Sequence, residues 1–131
     1  MLNKNSDTLL YNADTQLIIF DAAWSILGGS WRTTFPPNDS WHHIAVTYSY
    51  SATSNDPIIY VDGVIQSITK TASPNGTENS STNAIIIGNS AVSGVRVWGG
   101  SLDEPRVSNS VRSAAWIKTE YNNQSSPGTF Y

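Results

Sequence analysis

Trp41 to Gly63, WHHIAVTYSYSATSNDPIIYVDG, is the stretch whose reading decides the fold. It holds two runs of β-branched and aromatic residues, Trp41–Tyr48 and Ile58–Val61, which suit a pleated, half-buried surface. Between them lies the polar, turn-forming stretch Ser49–Pro57. The second run ends on Asp62-Gly63, a hairpin signal because a type I′ turn needs positive φ at both central positions. The stretch therefore predicts two strands joined by a variable loop, with the second turning tightly into Val64–Ser67. A loop held on such a scaffold can carry recognition, or be a connection and nothing more.

Working outward, Thr8–Tyr11 and Leu17–Phe20 read as strands around the turn Asn12-Ala13-Asp14. Trp24–Leu27 reads as a short strand broken by Gly28-Gly29, and Trp31–Phe35 as another, ended by Pro36-Pro37. On the C-terminal side, Val64–Thr69 returns from the hairpin and Thr71–Asn83 reads as a long exposed loop. Ala84–Ile87 is a continuous apolar run expected to be buried on both faces. Ser90–Gly94 reads as a turn and Val95–Trp98 as a strand, followed by a bend at Gly99-Gly100. Leu102–Val107 reads as the last strand, with Pro105 marking an edge or bulge. Only Ser113–Asn122 reads as helix, with Ser113 as N-cap and Trp116, Ile117 and Tyr121 sharing an apolar face.

Composition agrees with an all-β domain. Charged residues make up 13% of the chain, and Ser, Thr and Asn are abundant. A length of 131 residues suits one domain, residues 1–131, able to bury a core without staples. The net charge of −3 and the scattered basic residues argue against a non-specific binder of nucleic acid or of an anionic membrane. With no cysteine, disulfides and thiolate metal sites are excluded. The early apolar run Leu17–Phe20 is too short for the core of a signal peptide, and no stretch is long enough to span a bilayer.

His42 and His43 are the only histidines. Adjacent strand positions face opposite ways, so the two cannot share one ion, and neither has an acidic neighbour in sequence. Without a cysteine nucleophile or a GxSxG elbow, acyl transfer has no visible footing. Four sequons, Asn38-Asp39-Ser40, Asn75-Gly76-Thr77, Asn79-Ser80-Ser81 and Asn123-Gln124-Ser125, are about what chance provides in such a chain. Five tryptophans offer the apolar ring face and polar edge that suit sugar stacking. Trp41 reads as core and Trp116 as the helix anchor. Trp24, Trp31 and Trp98, beside glycine-containing turns, are the candidates for exposure, although core packing is favoured for each because tryptophan is highly buried on average; with Asn55 and Asp56 of the loop they form the candidate ligand-binding set.

WHHIAVTY, IIYVDG and GNSAVSGVRVWGGSLDEPRVSNSVRS, in this order and spacing, resemble the laminin G-like domains of the concanavalin A-like superfamily. The tail AAWIKTEYNNQSSPGTF resembles the segment that closes many bacterial and archaeal members. The resemblance implies an antiparallel jelly-roll β-sandwich with one short C-terminal helix. It also implies early strands beside the late one, for which there is no room before Leu2–Tyr11. An open sheet edge is therefore expected at Val95–Val107, covered by a second copy or another subunit. Hydrolases sharing this fold carry Glu-x-Asp-x-x-Glu on one strand. Here Asp103 and Glu104 are adjacent and face opposite ways, so the resemblance points away from an enzyme. It allows Asp103 as a calcium ligand, although calcium wants six to eight oxygens.

Two functional readings follow. One is a non-catalytic recognition or adhesion module, with a glycan or glycoprotein as partner, on an extracellular, cell-surface or virion-surface protein. The other is a structural subunit of a coat, decoration or fibre with no small ligand.

Overall fold

The computed structural model describes residues 2–4, 7–36, 40–79, 84–88 and 98–129. Among these residues nine strands and one α-helix are formed: β1 (Leu2–Lys4), β2 (Asp7–Asn12), β3 (Leu17–Ala22), β4 (Gly29–Thr34), β5 (Ile44–Thr47), β6 (Ile58–Val61), β7 (Val64–Ile65), β8 (Thr69–Ala72), β9 (Ile86–Ile87) and α1 (Ala114–Ser125). They make two antiparallel sheets, one in the order β8-β4-β3-β2-β1-β9 and one in the order β5-β6-β7.

The central hairpin forms as its residues demand. Asp62 and Gly63 take φ of 52° and 71°, the left-handed pair a type I′ turn requires. Register then assigns the faces. Ile44 pairs with Val61 and Val46 with Ile59, so these four share one face. They pack with Ile18 of β3, and with Leu9 and Phe20, in the main core. This joins the two sheets. A second cluster of Ala22, Trp24 and Trp31 continues it, backed by Phe20, Tyr48, Tyr50 and Ile68.

Along β4, burial alternates: Gly29, Trp31 and Thr33 are buried, while Arg32 and Thr34 are exposed. That is the two-residue period of a strand with one face on a core. Gly29 is dictated by the ring two positions on, because a Cβ there would lie 2.1 Å from Trp31 Cη2. On the small sheet, Tyr60 faces away from Ile59 and Val61, yet is 1% exposed. Helix α1 accounts for this cover. It lies against the Asp62-Gly63 turn through Lys118 and Tyr121, and Tyr121 meets the His43 ring at 6.2 Å. Ser113 caps the helix by accepting from the Trp116 N–H at 3.2 Å.

Several expectations are corrected. Trp41 is 69% exposed, and Ile117 rather than Trp116 is the buried helix anchor. Ile85 and Ile87 of the expected double-buried run are exposed, because β9 pairs only with β1 and forms the edge of its sheet among the described residues. The exposed loop expected at Thr71–Asn83 begins instead with β8, which pairs with β4. Leu102–Val107 forms no strand. Glu104 has a φ of 45°, outside the extended region, and Pro105 has no N–H to donate. The segment is tied to α1 instead: Arg106 pairs with Glu104 and Glu120, and Gln124 donates to Glu104. The expected sheet edge at Val95–Val107 is therefore not a strand edge over Trp98–Val107. Its first part, Val95–Val97, lies outside the described residues, as do the turn Ser90–Gly94 and parts of the sequons at Asn38 and Asn79.

Candidate functional site

The loop Ser49–Pro57 is held from within. Asn55 donates its side-chain amide to the Ser49 carbonyl and to Ser51 Oγ, both at 3.0 Å, and its backbone N–H to the Ala52 carbonyl. Asp56 accepts from Trp31 Nε1 at 2.8 Å and pairs with Lys70 at 2.5 Å. The Lys70 contact, more than any other, holds the Asp56 carboxyl below the usual carboxylate range; partial burial opposes it and the Trp31 N–H assists. Asn55 thus ties the loop to itself, and Asp56 fastens it to the core.

Beneath the loop, five rings touch in sequence. Trp24 lies 5.4 Å from Tyr50, Tyr50 lies 4.9 Å from Tyr48, and Tyr48 contacts both Trp31 and Phe20. Their polar ends are satisfied. Trp24 Nε1 donates to the Tyr48 hydroxyl at 3.1 Å, and the Tyr50 hydroxyl donates to Asp7, which also accepts the Ala23 N–H. Burial, and for Tyr50 the Asp7 carboxylate, pushes both tyrosine hydroxyls above their ordinary value, so both stay protonated. Core packing, the favoured reading of Trp24 and Trp31, is what the fold gives: they are 7% and 0% exposed. Both sit at the junction of the two sheets, where burying a large ring removes the most apolar surface from water.

Trp98 is elsewhere. It meets Tyr11 edge-on at 6.4 Å and donates its backbone N–H to the Gly88 carbonyl. Its Nε1 is buried and has no hydrogen-bond partner among the described residues. Asp103 is exposed, and its carboxylate accepts the Glu104 N–H at 2.9 Å. No group of three His, Cys, Asp or Glu side chains suited to a metal ion occurs among the described residues. The five ligand-binding candidates therefore split: Trp24, Trp31, Asn55 and Asp56 belong to one neighbourhood, and Trp98 to another.

What the first neighbourhood supports is an open cleft of about 350 Å³ lined by Asp21, Trp24, Gly28, Gly29, Ser30 and Asn79. Its rim is two interlocked bends. Ser25 N–H donates to the Thr77 carbonyl, Ile26 and Leu27 N–H to the Asn75 carbonyl, and Asn75 N–H returns to Leu27. Gly76 has a φ of 101°, and a Cβ there would lie 2.3 Å from Ser25 Oγ, so the bend requires glycine. Asp21 and Ser30 pair across β3 and β4 and reach the cleft from the outer face of the large sheet. The cleft offers a carboxylate, an amide and a hydroxyl beside the buried Trp24. Sequence reasoning missed Asp21, Ser30 and Asn79, because only the β3–β4 register and the pairing of two distant bends bring them together.

One further pairing escaped the sequence. Asp62 accepts the His43 backbone N–H at 2.9 Å and meets His42 Nδ1 at 2.8 Å, while Ser40 Oγ lies 3.1 Å from His42 Nε2. The carboxylate closes the hairpin on the start of the preceding strand. His43, on the α1 side, has its imidazole pushed below the ordinary histidine value, chiefly by burial.

A family model of laminin G type, described as the concanavalin A-like lectin/glucanases superfamily, matches residues 3–118. Neither a curated protein nor a solved structure matches the chain.

Proposed function

The chain belongs to the concanavalin A-like lectin/glucanases superfamily, and from that premise we propose that it is a non-catalytic recognition or adhesion module whose ligand is a glycan. The observation that carries this reading is the cleft of Asp21, Trp24, Ser30 and Asn79. Few, convergent polar groups beside an aromatic edge are the usual equipment of a small-ligand site. The loop Ser49–Pro57 serves as the wall that keeps Trp24 in position. The proposed fold is the jelly-roll sandwich of the superfamily, and the proposed setting is extracellular or on a cell or particle surface. No helix among the described residues is long and apolar enough to cross a membrane.

A glycan array tests the reading. Wild-type protein is expected to retain a subset of glycans. Asp21→Asn and Asn79→Ala, both at solvent-accessible positions, are each expected to lower affinity about tenfold while circular dichroism stays unchanged, the loss of one hydrogen bond to a charged group or amide. Binding untouched by both variants overturns the cleft as the seat. An array without any bound glycan overturns the recognition reading.

A structural assembly subunit is the second reading, and one observation favours it. Leu102, Val107 and Val111 are 43%, 60% and 58% exposed. Between Gly99 and Arg112 no backbone group bonds to the backbone of another described residue. Exposed apolar side chains of this kind suit packing against another subunit. Light scattering after size exclusion decides: a defined oligomer that dissociates on Val107→Asp favours assembly, and a monomer at high concentration argues against it.

A further inference from the structure

Arg32 is the one basic residue with a described side chain that has neither an acidic nor an aromatic partner. Lys70 pairs with Asp56 and Arg106 with Glu104 and Glu120, while Arg112 and Lys118 lie 5.0 and 4.7 Å from the rings of Trp116 and Tyr121. Arg32 is exposed in the middle of β4. It lines a groove of about 430 Å³ with Leu17, Thr34, Ser67, Thr69 and Thr71, and among the described residues no acidic side chain lines it.

Register explains how these residues meet. Arg32 pairs with Ile19 on one side and Thr69 on the other, and Thr34 pairs with Leu17. Arg32 and Thr34 lie two apart on one strand, so all of these side chains share the outer face of the large sheet. The Thr33 and Thr71 hydroxyls are used, donating to the Ser67 and Ser30 carbonyls. Those of Thr34 and Thr69 make no described hydrogen bond. The groove thus holds one unpaired guanidinium, two hydroxyls free to bond a ligand and an apolar floor. Ser30, which lines the cleft described above, is two residues before Arg32 on the same face. The two depressions therefore follow each other along β4, with Ser30 and Thr34 about 13 Å apart at the rise of a strand.

We propose that the Arg32 groove is a subsite for an acidic sugar unit, a uronic acid or similar carboxylate-bearing residue, of an extended saccharide whose neighbouring units occupy the Asp21–Asn79 cleft. This rests on the recognition reading of that cleft. The carboxylate takes the planar fork of Arg32, a bidentate match an ammonium cannot make. The ring hydroxyls exchange hydrogen bonds with Thr34 and Thr69, and the apolar ring face lies toward Leu17. Among the described residues no acid lines the groove to repel the carboxylate, although the whole chain is net negative.

Trigalacturonate and its fully methyl-esterified form make the test, because they share a shape and differ in charge. Titration followed by ¹H–¹⁵N spectra is expected to move the amides of Arg32, Thr34 and Thr69 with trigalacturonate. The ester is expected to bind at least about tenfold more weakly, and Arg32→Gln to lose a similar factor, the scale of a charge-assisted hydrogen bond. Arg32→Lys is expected to restore part of the loss. Equal binding of the acid and the ester, unchanged in Arg32→Gln, overturns the acidic subsite and leaves the cleft reading standing. Binding of acetate as strong as that of trigalacturonate overturns the saccharide class. If neither oligosaccharide binds while array glycans do, the subsite alone fails; if the array is also empty, both readings fail together.

Discussion

The two faces of β4 are built from neighbouring residues and do opposite work. On the inner face, Trp31 is fully buried with its N–H on Asp56, and Thr33 is buried with its hydroxyl on the Ser67 carbonyl. On the outer face, Arg32 and Thr34 are exposed and have no described partner. The inner face spends its polar groups on the fold, because an unpaired polar atom in the core costs its full desolvation. The outer face leaves its groups to water and so keeps them for a ligand. A residue's type says less about its role here than the parity of its position on the strand.

The largest way to break that contrast is Trp31→Ala. Removing a fully buried indole, with the cavity it leaves, is expected to cost about 3–5 kcal/mol, read as a fall in the urea midpoint. A loss below about 1 kcal/mol would mean that the inner cluster is not the keystone of the sheet junction.

Acid sharpens the contrast on a smaller scale. Asp56 has a folded-state pKa below its unfolded value of 3.8, so it favours the folded state above about pH 4. That contribution is lost as the pH falls below 3.8 through the lowered folded value. The side chain is 48% exposed, so solvent screening holds the effect to about 1 kcal/mol or less. Urea midpoints followed from pH 6 to pH 2 are expected to fall less steeply in Asp56→Asn than in wild type. Parallel curves would remove Asp56 from the support of Trp31.

The smallest effect belongs to the outer face. Arg32→Gln is expected to change stability by less than about 0.5 kcal/mol, as surface substitutions without structural partners do. A larger loss in thermal unfolding would make Arg32 part of the fold and weaken its assignment to a ligand.

Much of the fold was legible because local chemistry forced it. Asp62-Gly63 could only be a tight turn, Ser113 caps the helix that follows, and the runs Ile44–Thr47 and Ile58–Val61 are strands. The site was less legible. The glycines beside Trp24 and Trp31 make them candidates for exposure although core packing is favoured, and Gly29 is there to admit the Trp31 ring into the core. Nothing local says that Asp21, Ser30 and Asn79 converge, or that Asp62 meets His42, because these meetings depend on which strands pair. Leu102–Val107 misled for the converse reason. Its sequence suits a strand, but the left-handed turn at Glu104 and the ties to α1 hold it off the ladder.

The crossing from β7 to β8 through Gln66–Ile68 bears on how the chain folds. β5, β6 and β7 form a meander between residues 44 and 65. The β8–β4 pairing that follows joins Lys70 to Trp31 across the whole of it. Closing so long a loop is entropically costly and is rewarded only when the distant strands meet. A meander that forms first brings β8 within reach of β4 and shortens the free chain to be ordered. The small sheet thereby acts as the hinge pin on which the large one closes. Weakening the meander would slow folding, while weakening β8 would mainly speed unfolding.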